Sequence, residues 1–307
     1  MLTNTIIKGC NCIEHVLCNI LLNMGLDYSM LFTDSWSIFV RVDAALPLRD
    51  RLDIYHSSYY ELFENLRRYY GIDDKWQARP NNYQELQSLI QTQGYLCLRV
   101  PTEACSWLIS IDGMEEYHYL LIASMEDQWL YVYDYSSTIM KRLNLEMLLK
   151  KGNIELIAFH RTQDIIHAQN YEQDLIRKLN EKAEKRRLSE NIRLLTKELD
   201  DATLILSELS YSDLIVSPLL RKISYLGFGR QNFLTLFQRR NLIEKYNLEE
   251  ECKCLLEISK KWLFLNKLFT KFALSSKAEI LQKIKRYLEG ISIEEEELLD
   301  RFLAKMR

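Results

Sequence analysis

The sequence predicts an α+β N-terminal domain over residues 1–162, followed by an all-α C-terminal domain over residues 163–307, with the junction near 161–168. Three observations lead there. Only 9 of 307 residues are Gly and 4 are Pro. Those shares lie well under the usual ~7% and ~5%, so turns are scarce and long helices are expected. Short runs of β-branched and aromatic residues fill the first half and then stop. After them, apolar residues recur at steps of three or four.

The elements read as follows. Residues 12–24 carry Val16, Leu17, Ile20, Leu21 and Met24 at helical spacing, closed by Gly25. Residues 36–42 are strand-like. Residues 49–70 form a candidate helix ending at Gly71, and residues 82–93 another ending at Gly94. Four β-type runs follow at 95–100, 106–111, 117–124 and 128–135, and a fifth at 154–160. In the second half, Leu175, Leu179, Leu188, Ile192, Leu195, Leu199 and Leu206 mark one long amphipathic helix or a broken pair over 171–206. Further helices are expected at 217–226, 232–246, 249–273, 276–289 and 293–306. The long amphipathic helices also offer surfaces from which a homodimer could form.

Composition bounds the function classes. Apolar residues at 48% and charged residues at 27% fit a globular chain with a large core and exclude disorder. Lys+Arg 40 against Asp+Glu 43 gives net −3, which argues against a dedicated nucleic-acid binder. No apolar run approaches the roughly 18 residues of a membrane span. Met1-Leu2-Thr3-Asn4-Thr5 lacks the basic and apolar regions of a secretory signal. The seven cysteines therefore read as reduced thiols, and a cytoplasmic protein with no membrane and no nucleic-acid partner is expected. There is no phosphate-binding loop, no dinucleotide fingerprint and no HExxH.

Cys12 stands where the first helix begins. A thiol there meets the positive end of the helix dipole and unpaired backbone N–H groups, which favour thiolate and can stabilise an oxyanion. Such a nucleophile needs a base, and the base needs an orienting partner. Residues 117–124 and 128–135 flank the turn Met125-Glu126-Asp127 and read as a β-hairpin. With the turn centred on Glu126, His118 directly opposes Asp134. His118, Leu120 and Ile122 then share a face with Leu130, Val132 and Asp134, and Tyr117, Tyr119, Trp129, Tyr131, Tyr133 and Tyr135 take the other. A helix packed on that sheet would bring Cys12 to His118. Candidate catalytic residues are thus Cys12, His118 and Asp134, as nucleophile, base and orienting group.

Each has a plainer explanation. Cys12 alone reads as a small buried hydrophobe, and His118 with Asp134 as a structural pair. Cys10 is an alternative nucleophile if the helix starts earlier. Cys10, Cys12, His15 and Cys18, with Cys252 and Cys254, suggest zinc, but their spacings are not the paired ligand sets of zinc sites, and no metal is expected. His15 lies one turn beyond Cys12 and reads as a packing residue. Trp36, Trp107 and Trp129 could line an acyl or acceptor pocket or be ordinary β-sheet aromatics.

Two stretches carry a family resemblance. One is Cys12-Ile-Glu-His-Val-Leu17-Cys-Asn-Ile-Leu21-Leu-Asn-Met-Gly25-Leu-Asp-Tyr-Ser29-Met-Leu-Phe32. The other is His118-Tyr-Leu-Leu-Ile-Ala through Val132-Tyr-Asp134. The order Cys, His, Asp resembles papain-like cysteine folds and, more closely, the N-terminal domain of the butirosin biosynthesis protein H-like family, over roughly residues 8–160. Trp262 with its amphipathic helix, then Glu294–Glu297 with Leu298 and Leu299, is similar to the helical tail of relatives in nonribosomal peptide and polyketide pathways. The sequence departs from relatives with a glycine-rich turn at Thr33-Asp34-Ser35-Trp36-Ser37. Ile6 stands where papain-type peptidases carry an oxyanion Gln; Asn11, Asn4 or the Cys12 backbone N–H is then the substitute donor.

The resemblance implies a papain-like acyltransferase domain that moves an acyl, aminoacyl or peptidyl group from a carrier-protein thioester to an amine or hydroxyl acceptor in natural-product biosynthesis. No bound cofactor is implied; the donor rides on the phosphopantetheine of an acyl or peptidyl carrier protein. Such carriers are acidic, so the basic run Lys182, Lys185, Arg186 and Arg187, or Arg239-Arg240, is either a docking face or an ordinary solvated helix face. The alternatives are a cysteine peptidase or amidase using the same residues, and a non-catalytic binding protein.

Overall fold

The computed structural model describes residues 2–41, 43, 46–53, 60–77, 82–92, 94–108, 117–151, 154–162, 171–184, 187–209 and 217–307. It is a mixed α+β protein. The chain divides into two compact units, residues 1–31 with 62–168, and residues 32–61 with 169–307. A single cut near 161–168 therefore does not describe the division, because 32–61 belongs with the later half; residues 163–168 of that junction lie outside the described residues.

The first unit is built on a six-stranded antiparallel sheet of order β3-β8-β4-β5-β6-β7. The strands are β3 (Ile72–Gln77), β4 (Tyr95–Pro101), β5 (Tyr117–Glu126), β6 (Trp129–Asp134), β7 (Ser137–Asn144) and β8 (Glu155–Arg161). Alternation sends Leu98, Val100, Leu120, Ile122, Leu130, Val132 and Leu156 into one cluster, closed by Leu86 of α4 (Tyr83–Thr92) and by Leu145 and Leu148 of α5 (Leu145–Lys151). Helix α1 (Cys12–Asn23) packs along β5. Phe63 of α3 (Tyr60–Tyr70) stacks on Phe159 of β8 at 6.3 Å.

β3 and β7 escaped the sequence pattern because they are the two edge strands, where polar residues break the alternation. The run at 106–111 differs too: Cys105–Leu108 form a turn after a short 3-10 segment, and 109–111 lie outside the described residues.

The second unit contains a two-stranded sheet, β1 (Phe39–Val40) with β2 (Leu52–Asp53), and α2 (Leu48–Arg51). The expected helix at 49–70 is thus interrupted, because Leu52 and Asp53 pair with Val40 and Phe39. Residues 54–59 lie outside the described residues, as does Val42 of the expected strand. The helices are α6 (Tyr171–Glu184), α7 (Arg187–Glu198), α8 (Ala202–Leu209), α9 (Pro218–Arg239), α10 (Leu242–Tyr246), α11 (Glu249–Ser275) and α12 (Ala278–Met306).

The breaks expected inside α9 and α12 do not occur. At Gly227 a Cβ would lie 2.9 Å from Leu263 Cγ and 3.0 Å from Ser259 O, so the glycine lets α9 approach α11 closely. Gly290 is carried through by buried Leu288 and Ile291 on either side. At the centre, Glu295 is fully buried and saturated: Arg230 donates from Nε at 2.9 Å and from a terminal nitrogen at 2.8 Å, Trp36 Nε1 at 3.0 Å and Trp262 Nε1 at 2.8 Å. Removing one charge of a buried pair strands the other in low dielectric. Arg230→Met is expected to lower stability by about 3–5 kcal/mol in urea denaturation, whereas replacing an exposed pair such as Lys150–Glu146 is expected to leave the unfolding midpoint essentially where it is.

Candidate functional site

The site begins with a helix cap. The Asn11 side-chain oxygen accepts from the Glu14 N–H at 2.9 Å, and the Glu14 carboxylate accepts from the Asn11 N–H at 2.9 Å. This reciprocal pair starts α1 at Cys12. The His15 N–H bonds to the Asn11 carbonyl at 2.9 Å. The N–H of Cys12 is the first of the helix, among the groups that helix geometry leaves without an intrahelical acceptor.

The N-terminal segment is bound to the same helix. Asn19 exchanges hydrogen bonds with the backbone of Thr5, and Asn23 does the same with Thr3. Tyr133 donates its hydroxyl to the Leu2 carbonyl at 3.2 Å. The helix, its leading segment and strand β6 are thereby held together.

His118 sits at the start of β5, 6% exposed, and Asp134 ends β6, fully buried. His118 Nε2 lies 3.1 Å from Asp134 Oδ1. The Cys12 thiol is close enough to the same imidazole to help raise its pKa. Cys12 itself is partly exposed. The structure thus brings Cys12, His118 and Asp134 together.

It does so by a different register from the one expected. The hairpin turns at Asp127 and Gln128, with Glu126 opposite Trp129, and a bulge falls between Ile122 and Ser124. Asp127 takes the left-handed conformation at φ 50° that the tight turn needs. Leu121 then opposes Tyr133. Continued by one residue, that register sets Leu120 beside Asp134, so His118 reaches the carboxylate diagonally, within range for a long side chain.

Three contacts at this site were not read from the sequence. Trp107 donates Nε1–H to Asp134 Oδ2 at 2.5 Å, so both carboxylate oxygens are engaged. The Ser136 N–H adds a third bond to Oδ1 at 3.3 Å. The Tyr135 ring lies 5.6 Å from the His118 ring, tilted by 55°. No local pattern signals the Trp107 contact. The start of α1 had a readable signal, Asn11 followed three residues later by Glu14.

Other candidates find other places. Cys10 precedes the cap, and its thiol is pushed well up by a hydrogen bond with Cys18, then by burial, which suits packing rather than attack. His15 is buried and held neutral by desolvation, with Nε2 on the Thr5 carbonyl at 3.1 Å. Asn4 donates to the Ser137 carbonyl at 3.0 Å, Asn11 caps Glu14, and Ile6 is 47% exposed. Of the expected substitute donors, the Cys12 backbone N–H fits an oxyanion best. Among the described residues no three His, Cys, Asp or Glu side chains group as a metal site. No helix of the described residues is long and apolar enough to cross a membrane.

The electrostatics of the pair follow from its contacts. Burial works against an imidazolium at His118, but the hydrogen bonds to Asp134 and Cys12 and the charges of both raise its pKa from 6.5 to about 9. Burial likewise opposes a charged Asp134, yet the bonds from His118 and Trp107 hold it below the usual carboxylate value. The His118 contribution to stability is full below 6.5 and is lost as pH rises through about 9. The Asp134 contribution is present above the ordinary carboxylate range and is lost as pH falls through the depressed value. NMR titration of the imidazole should give a midpoint near 9 in the native chain. In Asp134→Asn the midpoint should drop by at least about one unit, since burial is then less opposed; an unchanged midpoint would contradict the assigned cause.

No family model matches the chain, and no curated protein matches it.

Proposed function

We propose that the assembly at the start of α1 is a nucleophilic cysteine centre of an acyltransferase. On this reading Cys12 takes an acyl, aminoacyl or peptidyl group from a carrier-protein thioester and passes it to an amine or hydroxyl acceptor, in the manner of the butirosin biosynthesis protein H-like family and on a papain-like scaffold. The observation that carries the reading is a single imidazole hydrogen-bonded to a buried carboxylate, with a thiol at a helix N-terminus near enough to help raise its pKa.

The chemistry runs in two transfers. With its pKa near 9, His118 is protonated at neutral pH, so the pair acts as thiolate and imidazolium, and the Cys12 sulfur attacks the donor carbonyl. The tetrahedral oxyanion rests against the first N–H of α1. The donor thiol leaves with the proton from His118, and the acyl group stays on Cys12 as a thioester. One thioester replaces another, so the step is near thermoneutral. Acylation also removes the sulfur hydrogen bond and charge that help raise the His118 pKa. The ring becomes a better base toward the acceptor just when one is needed. The acceptor loses its proton to His118 and attacks the thioester, and the Cys12 sulfur departs with that proton.

Incubation with an acylated carrier protein, or with a small N-acetylcysteamine thioester, should add the acyl mass to Cys12 in intact-mass spectra. Cys12→Ala should show no adduct, and His118→Ala should form it at least ~100-fold more slowly. Full transfer activity in Cys12→Ala would end the proposal. Peptide hydrolysis without acyl transfer would favour the peptidase reading of the same residues.

A further inference from the structure

Charge is unevenly spread along this chain. Residues 258–288 hold seven lysines and one arginine against a single acid, Glu279, while the whole chain carries 40 basic and 43 acidic residues. The stretch spans the second half of α11, the bend at Ser276, and the first third of α12, two helices packed side by side. Lys260, Lys261 and Lys285 are paired with Glu257, Glu294 and Asp200. Lys267, Lys271, Lys277, Lys283 and Arg286 are exposed and have no acidic partner among the described residues.

Apolar surface lies among these charges. Phe264 and Leu274 are 38% and 77% exposed. The Phe264 ring packs 5.5 Å from Tyr287, and with Leu263 they floor a cleft of about 460 Å³ rimmed by Glu257, Lys260, Lys261 and Lys267. Lys267 at that rim, with exposed Lys271 one turn further along the helix, beside an apolar floor suits a partner with acidic side chains about one apolar anchor. The chain is acidic in sum, which disfavours a partner as densely charged as nucleic acid, and the apolar floor among the lysines suits a folded acidic protein.

We infer that the α11–α12 tip is the docking surface for an acidic protein. Resting on the acyl-transfer reading of Cys12, that partner is the acyl carrier protein that delivers the donor. The two stretches considered from sequence are less suited. Lys182 Nζ is turned to the Trp36 carbonyl at 3.0 Å, Lys185 and Arg186 lie outside the described residues, and Arg240 lies over the Tyr171 ring at 5.1 Å.

The test is fluorescence anisotropy of a labelled, phosphopantetheinylated acyl carrier protein titrated with the full chain. Binding is expected, weakening as salt rises. A variant combining Lys267→Glu, Lys271→Glu and Lys283→Glu should bind at least about tenfold more weakly. The corresponding Gln variant should lie between the two, and thermal melts of both should match the native chain. Equal binding by the Glu variant overturns the inference, as does absence of carrier binding. Variant-sensitive binding of a DNA duplex, or of phosphatidylcholine vesicles carrying phosphatidylserine, with none to the carrier also overturns it. Acylation of Cys12 by the N-acetylcysteamine thioester needs no docking. It should be equal in the native chain and the variant, and its failure in both would instead sink the reading of Cys12.

Discussion

The place where α1 begins governs this site. Asn11 and Glu14 close a reciprocal cap around the first turn, so that the helix starts at Cys12 and not at Cys10. A shift of the start by two residues would turn the thiol by roughly 200° about the helix axis. It would then miss the imidazole on β5. The cap is worth only about 1 kcal/mol in stability, but it decides which sulfur stands at the helix N-terminus.

The second constraint is the saturation of Asp134. Its two oxygens receive bonds from His118, Trp107 and Ser136, and no solvent reaches it. Such a carboxylate cannot rotate without losing charge-assisted bonds in a low-dielectric setting. The imidazole inherits that rigidity through Nε2. Glu295 follows the same logic in the helical unit, where Arg230, Trp36 and Trp262 leave no lone pair of the buried carboxylate idle. There the result is a fixed helix packing.

Much of the fold was legible in periodicity. Helix α1, strands β4, β5, β6 and β8, and most of the C-terminal helices follow apolar spacing closely. The misses have physical causes. Edge strands β3 and β7 face water along one side and need no alternation. Gly227 and Gly290 look like helix breakers, yet one is required by close packing against α11 and the other is carried by its neighbours. Leu52 and Asp53 leave a helical pattern because a distant segment offers them a strand partner.

What the amino-acid order determined by itself was the local chemistry: a thiol at a helix start, and a histidine and an aspartate at the far ends of two adjacent strands. Those depend on caps and periodicities only a few residues long. What only the tertiary structure decided was the register, the Trp107 bond and the meeting of sulfur with imidazole. The turn at Asp127 and Gln128 by itself would set Asp134 opposite Leu121; the one-residue bulge brings it beside Leu120, diagonal to His118, and a side chain from a turn supplies the second oxygen's partner. Contacts between residues far apart in the chain are set by the packing of whole elements, which no short window of sequence encodes.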